Sequence, residues 1–62
     1  MKKYVIGIDI GASKTLCGLF DEQMRLVRVI QRPTDAEATA DELLDALDAH
    51  VRELARGAGV PL

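Results

Sequence analysis

The stretch Gly7-Ile8-Asp9-Ile10-Gly11-Ala12-Ser13-Lys14-Thr15 constrains the chain more than any other. It lies where an apolar run, Tyr4 to Ile10, gives way to small residues and then to a second apolar run, Leu16 to Phe20. Two such runs with a short break between them read as a β-hairpin. Asp9 leads into the break, Gly11, Ala12 and Ser13 form its tip, and Lys14 and Thr15 lead out. Small residues allow a ligand close to the backbone, and Gly11 can supply the positive φ that a tight turn requires. Successive N–H groups in such a turn form a concavity that favours an anion. A phosphate suits that chemistry, with Lys14 as its charge partner and Asp9 placed to hold an accompanying metal ion. A plain hairpin with a solvated tip accounts for the same residues, so the local chemistry leaves both readings open.

Two phosphate motifs are excluded. The P-loop needs Gly-x-x-x-x-Gly-Lys-Ser/Thr followed by a helix. Here Ser13 stands where glycine is required, Gly7 lies one residue too far from Lys14, and Leu16 to Phe20 reads as a strand. Gly7 and Gly11 also lack the Gly-x-Gly-x-x-Gly spacing of a dinucleotide fold.

Along the chain the pattern predicts strands over about 3–10, 15–20 and 25–32 and a helix over about 36–56. In the first strand Tyr4, Ile6, Ile8 and Ile10 share one face, and Val5, Gly7 and Asp9 the other. Both faces are apolar or small until Asp9, the pattern of a strand from the middle of a sheet. Asp9 is then either functional or the ion-pair partner of Lys14. Gly18 in the second strand marks close packing of another element, and Cys17 reads as a small core residue. Arg28, mid-way along the third strand, is read as a charge that discourages pairing at a sheet edge. Two capping boxes precede the helix, Thr34-Asp-Ala-Glu37 and Thr39-Ala-Asp-Glu42. Its apolar residues Ala40, Leu43, Leu44, Leu47, Val51, Leu54, Ala55 and Ala58 form one helical stripe. Gly57 or Gly59 ends it, with Pro61 just beyond.

The order of these parts resembles the opening of the sugar-kinase, actin and heat-shock-chaperone superfamily of ATPases, and within it the ROK family of sugar kinases and sugar-responsive repressors. That family starts with a strand ending in Asp-x-Gly-Gly-Thr-Lys, a second strand, a short turn, a third strand ending near Pro-Thr, and a long helix. The matching stretches are Tyr4 through Thr15, Leu19-Phe20-Asp21-Glu22, Arg32-Pro33-Thr34 and Asp41-Glu42-Leu43-Leu44. Ala12 and Ser13 replace the family's Gly-Thr, and Met24 stands where a turn glycine is common. Serine keeps the hydroxyl; Ala12 tests whether the tip needs a positive φ.

The resemblance implies an α/β fold: the N-terminal β-β-β-α piece of a ribonuclease H-like, actin-like ATPase domain, an antiparallel three-stranded meander plus one helix, incomplete alone. It implies that ATP and Mg²⁺ are bound by Gly7, Asp9, Gly11, Ala12, Ser13, Lys14 and Thr15, with Asp9 at the metal directly or through water. The family's general base, sugar-binding residues, second phosphate loop and zinc cluster have no counterpart here, so the expectation is an N-terminal fragment of a longer cytoplasmic protein. An ATP-dependent sugar kinase is the first reading, and the effector domain of a ROK-type repressor the alternative. Such repressors carry a helix-turn-helix before the hairpin, where this sequence has Met1-Lys2-Lys3, which favours the kinase.

Composition narrows the classes. A chain of 62 residues buries only about 60% of its unfolded surface and is marginal alone. A net charge of −2 with scattered basic residues gives no case for nucleic acid. No apolar run approaches the ~20 residues of a membrane span. Met1-Lys2-Lys3 before an apolar run imitates a signal peptide, but Asp9 interrupts that run and Lys14 falls at the expected cleavage region. A single cysteine cannot form an internal disulfide and fits a cytosolic protein. A stand-alone interaction module is disfavoured because no aromatic or apolar surface patch is evident in the sequence. The apolar first strand, with no partner on its far side in this chain, predicts self-association.

Overall fold

A computed structural model describes residues 3–61. Met1 and Lys2, the charged start of the signal-like segment, lie outside the described residues. Three strands, β1 (Val5–Ile10), β2 (Lys14–Phe20) and β3 (Leu26–Pro33), form an antiparallel meander in the order β1-β2-β3, and α1 (Ala40–Gly57) follows. This is the expected α/β arrangement. The helix packs on one face of the sheet only. Residues of alternate parity point to it: Ile6, then Thr15, Cys17 and Leu19, then Arg28, Ile30 and Arg32. Cys17, Leu19, Ile30 and Leu54 form the buried core, with Ile6, Ala58 and Val60 packed against it. Burial raises the pKa of the Cys17 thiol, partly opposed by the charge of Arg32, in keeping with a packing role.

The helix starts at Ala40, not near residue 36, and the reason is local. The first capping box is unavailable because Thr34 is bonded elsewhere: its N–H donates to the Ser13 carbonyl (3.0 Å), and its hydroxyl pairs with that of Thr15 (2.6 Å). Asp35 builds a turn instead, its Oδ1 accepting from Glu37 N and its carbonyl from Ala38 N. The second box caps the helix. Thr39 Oγ1 accepts from Glu42 N (3.2 Å) and Glu42 Oε1 accepts from Thr39 N (2.9 Å).

The other end is a Schellman motif. Gly59 has φ 73°, its N–H donates to the Arg56 carbonyl, and Val60 N–H reaches back to Ala55. Val60 then packs on the core cluster that contains Leu54, the hydrophobic contact this motif favours.

Arg28 corrects the reading of β3. Its side chain does not guard an open edge; it crosses to the helix, where Nη1 donates to the carbonyls of Glu53 (2.8 Å) and Leu54 (3.2 Å). A cation there complements the negative end of the helix dipole. Arg32 bonds the Glu53 carboxylate through Nε and Nη2, a second tie between β3 and the same turn of α1. Both fully seated residues of the helix, Leu54 and Ala55, are in this region, whereas Leu44 is 63% exposed. Between the amino-terminal half of α1 and the Pro33–Ala38 segment lies a hollow of about 260 Å³.

Among the described residues nothing covers the opposite sheet face. Val5, Leu26 and Val29 are exposed there, so an apolar surface does exist, contrary to the sequence reading. Alternation hid it, because each strand contributes only every second residue. Among the described residues no helix is long and apolar enough to cross a membrane.

Candidate functional site

The β1–β2 register pairs Val5 with Phe20 and ends on Asp9↔Leu16 and Ile10↔Thr15. Gly11 N–H then donates to the Lys14 carbonyl at 2.9 Å and closes the hairpin. That register puts Gly7, Asp9, Lys14, Leu16, Gly18 and Phe20 on the uncovered face. Gly7 stands opposite Gly18, and Phe20 lays its ring beside both. Its Cε2 is 3.2 Å from where a Cβ on Gly18 would sit and 3.6 Å from the corresponding point on Gly7. An aromatic ring over a cross-strand glycine restores packing that the glycines lack. Next to Asp9 and Leu16 this leaves a shallow apolar hollow of about 400 Å³.

The tip is free of left-handed strain. Among the described residues positive φ falls only on Met24 and Gly59, so Gly11 does not provide one and Ala12 meets no conformational penalty. Gly11 is needed for space: a Cβ there would lie 2.9 Å from the Lys14 carbonyl oxygen. Since the Gly11 N–H is committed to Lys14, the backbone donors left to the tip are those of Ala12 and Ser13.

The seven candidate residues divide three ways. Gly7, Asp9 and Lys14 lie on the uncovered face, and Gly11, Ala12 and Ser13 are exposed at the tip. Thr15 points the other way, 2% exposed, with its hydroxyl on Thr34. It anchors the loop from beneath. The ion pairs among the described residues are Asp21–Arg25, Arg32–Glu53 and Asp48–Arg52, so pairing of Asp9 with Lys14 has no contact behind it. The two are diagonal neighbours across the strand pair, a relationship with a spacing of about 7–8 Å. Among the described residues no three His, Cys, Asp or Glu side chains gather as a metal nest. Asp9 offers one carboxylate, which suits Mg²⁺ held mainly by phosphate and water.

Thr34 is the residue that sequence reasoning assigned elsewhere, as a helix cap. Two capping boxes five residues apart were the available signal, because only one of them can start the helix. A scan of known protein families, curated proteins and solved structures finds no match to this chain.

Proposed function

We propose that the chain is the N-terminal, phosphate-holding piece of an ATP-dependent sugar kinase of the ROK type. One observation carries the reading. Asp9 and Lys14 share a face at the same end of the hairpin, with the exposed Gly11–Ser13 backbone between them. The N–H groups of Ala12 and Ser13 would hold phosphate oxygens, Lys14 would offset their charge, and Asp9 would take Mg²⁺ directly or through water. Mg²⁺ bound with ATP neutralises charge on the phosphoryl group in transfer, so the chain's own task is positioning. The Thr15–Thr34 hydroxyl pair and the Thr34–Ser13 hydrogen bond hold the loop for that task.

Backbone amide shifts of the chain during titration with MgATP test the proposal. Saturable changes centred on residues 11–14 are expected, dependent on Mg²⁺, weakened by Asp9→Asn and abolished by Lys14→Ala. Hairpin resonances that stay fixed up to millimolar MgATP would overturn it.

A further inference from the structure

The two edges of the sheet are not alike. β3 carries devices that blunt an edge: an extra residue, Val27, that interrupts the ladder between Leu26 and Arg28, and Pro33 at its end. β1 carries none. Val5-Ile6-Gly7-Ile8-Asp9-Ile10 has no proline, no bulge and no basic residue, and among the described residues it pairs with β2 alone.

The ladder fixes which of its groups are free. Gly11–Lys14 is a hydrogen-bonded pair one step beyond Ile10↔Thr15, and such pairs alternate along an antiparallel ladder. Val5, Gly7 and Asp9 therefore turn their backbone groups to β2, while Ile6, Ile8 and Ile10 turn theirs outward. A second copy related by a two-fold axis must run antiparallel, with outward residues facing outward residues.

Registers centred on Ile6, Gly7 or Ile8 satisfy this rule. Centring on Gly7 sets Asp9 against the partner's Val5, and centring on Ile8 sets it against the partner's Gly7. Centring on Ile6 alone matches the charges: Lys3 faces the partner's Asp9, twice by symmetry. It also sets Tyr4 against the partner's Ile8, an aromatic on a β-branched residue. Lys3 and Asp9 are exposed, and Tyr4 and Ile8 are 37% and 41% exposed, so each is available.

We infer that a second copy of this chain docks antiparallel along β1, with the two-fold axis at Ile6 and a Lys3–Asp9 ion pair at each end of the contact. The product is one continuous sheet from two meanders. Asp9 then serves the dimer, so the partner's Lys3 competes with a metal ion for its carboxylate.

Sedimentation equilibrium of the chain, without nucleotide, is the direct test. Twice the monomer mass of 6.8 kDa is expected at high micromolar concentration. Lys3→Glu and Asp9→Lys should each weaken association by about tenfold, because like charges then face each other. The double variant should restore it. A chain that stays monomeric, or four chains that associate equally, overturns the proposal. A second readout is independent of charge. Facing residues of a non-hydrogen-bonded pair lie about 4.5 Å apart at Cα, within disulfide reach. Oxidising a mixture of Lys3→Cys and Asp9→Cys chains should give mostly the mixed disulfide; a statistical mixture would contradict the register.

Discussion

The Arg28 guanidinium lies so close over Gly57 that a Cβ on this residue would overlap it. The missing side chain lets an arginine from β3 reach the Glu53 and Leu54 carbonyls at the end of α1. Alanine at an exposed helical glycine usually adds about 1 kcal/mol of stability. Here the added methyl displaces a cation whose hydrogen bonds are worth about 1.5–3 kcal/mol. Gly57→Ala should therefore destabilise by about 1 kcal/mol. In an Arg28→Ala background the same change should stabilise, and urea titrations of the four chains measure this reversal. A Gly57→Ala effect of equal size in both backgrounds would show that the contact carries no energy.

Met24 has φ 61°, a left-handed conformation that costs a non-glycine residue about 1–2 kcal/mol. Glycine relieves that cost, while greater freedom of the unfolded chain returns about 0.4–1 kcal/mol. Met24→Gly should raise stability by about 0.5–1 kcal/mol, seen as a higher urea midpoint at unchanged slope. Destabilisation would mean that the Met24 side chain, 63% exposed, makes a contact that matters.

The half-buried Thr15–Thr34 hydroxyl pair should respond asymmetrically. Thr34→Val leaves the Thr15 hydroxyl without a partner, at a cost of about 1–3 kcal/mol. Replacing both threonines by valine should recover most of that loss. Hydrogen exchange at Lys14 and Thr15 should quicken in the single variant and slow again in the double.

Two carboxylates contribute to the acid response. Asp21 is held below its usual range chiefly by the Arg25 N–H, with the Arg25 side chain and the Gln23 N–H adding to the effect. Glu42 is held down chiefly by the Thr39 N–H. A depressed folded pKa stabilises the fold above the unfolded pKa, and that stability is lost as pH falls through the folded value. Thermal melts should therefore show a falling midpoint from the ordinary carboxylate range downward. The Asp21→Asn, Glu42→Gln chain should have a flatter profile there, with an unchanged melting temperature at low pH.

Activity offers a separate check on the proposed function. If the proposed function holds, the 62-residue chain alone should show no sugar-dependent ATP hydrolysis. In a complete kinase carrying this segment, Asp9→Asn should lower turnover with little change in melting temperature. Turnover by the purified chain itself would contradict the fragment reading.

Strand and helix order, the second capping box and a stop at Gly57 or Gly59 were legible because period, cap and turn signals are local. The helix start was not, since Thr34 carries a cap signal that a contact with Thr15, nineteen residues away, overrides. The task of Arg28 was hidden for the same reason: its partners are backbone carbonyls, which leave no trace in the sequence. At the hairpin, residue types pointed to the right tip, but which side each side chain takes depends on register. Register separated Thr15 from Asp9 and Lys14.

Helix α1 is a cantilever. Its carboxyl-terminal turns are clamped by Arg28, Arg32 and the core at Leu54, while its amino-terminal half stands beside a hollow and is tethered by the Asp35 turn and the Thr39 cap. Bending that pivots near Glu53 would swing the Ala40 end of the helix through the largest arc. The Pro33–Thr34 tether joins that swinging end to the hairpin tip through Ser13. Displacement of the helix is thereby geared to the loop that holds Lys14.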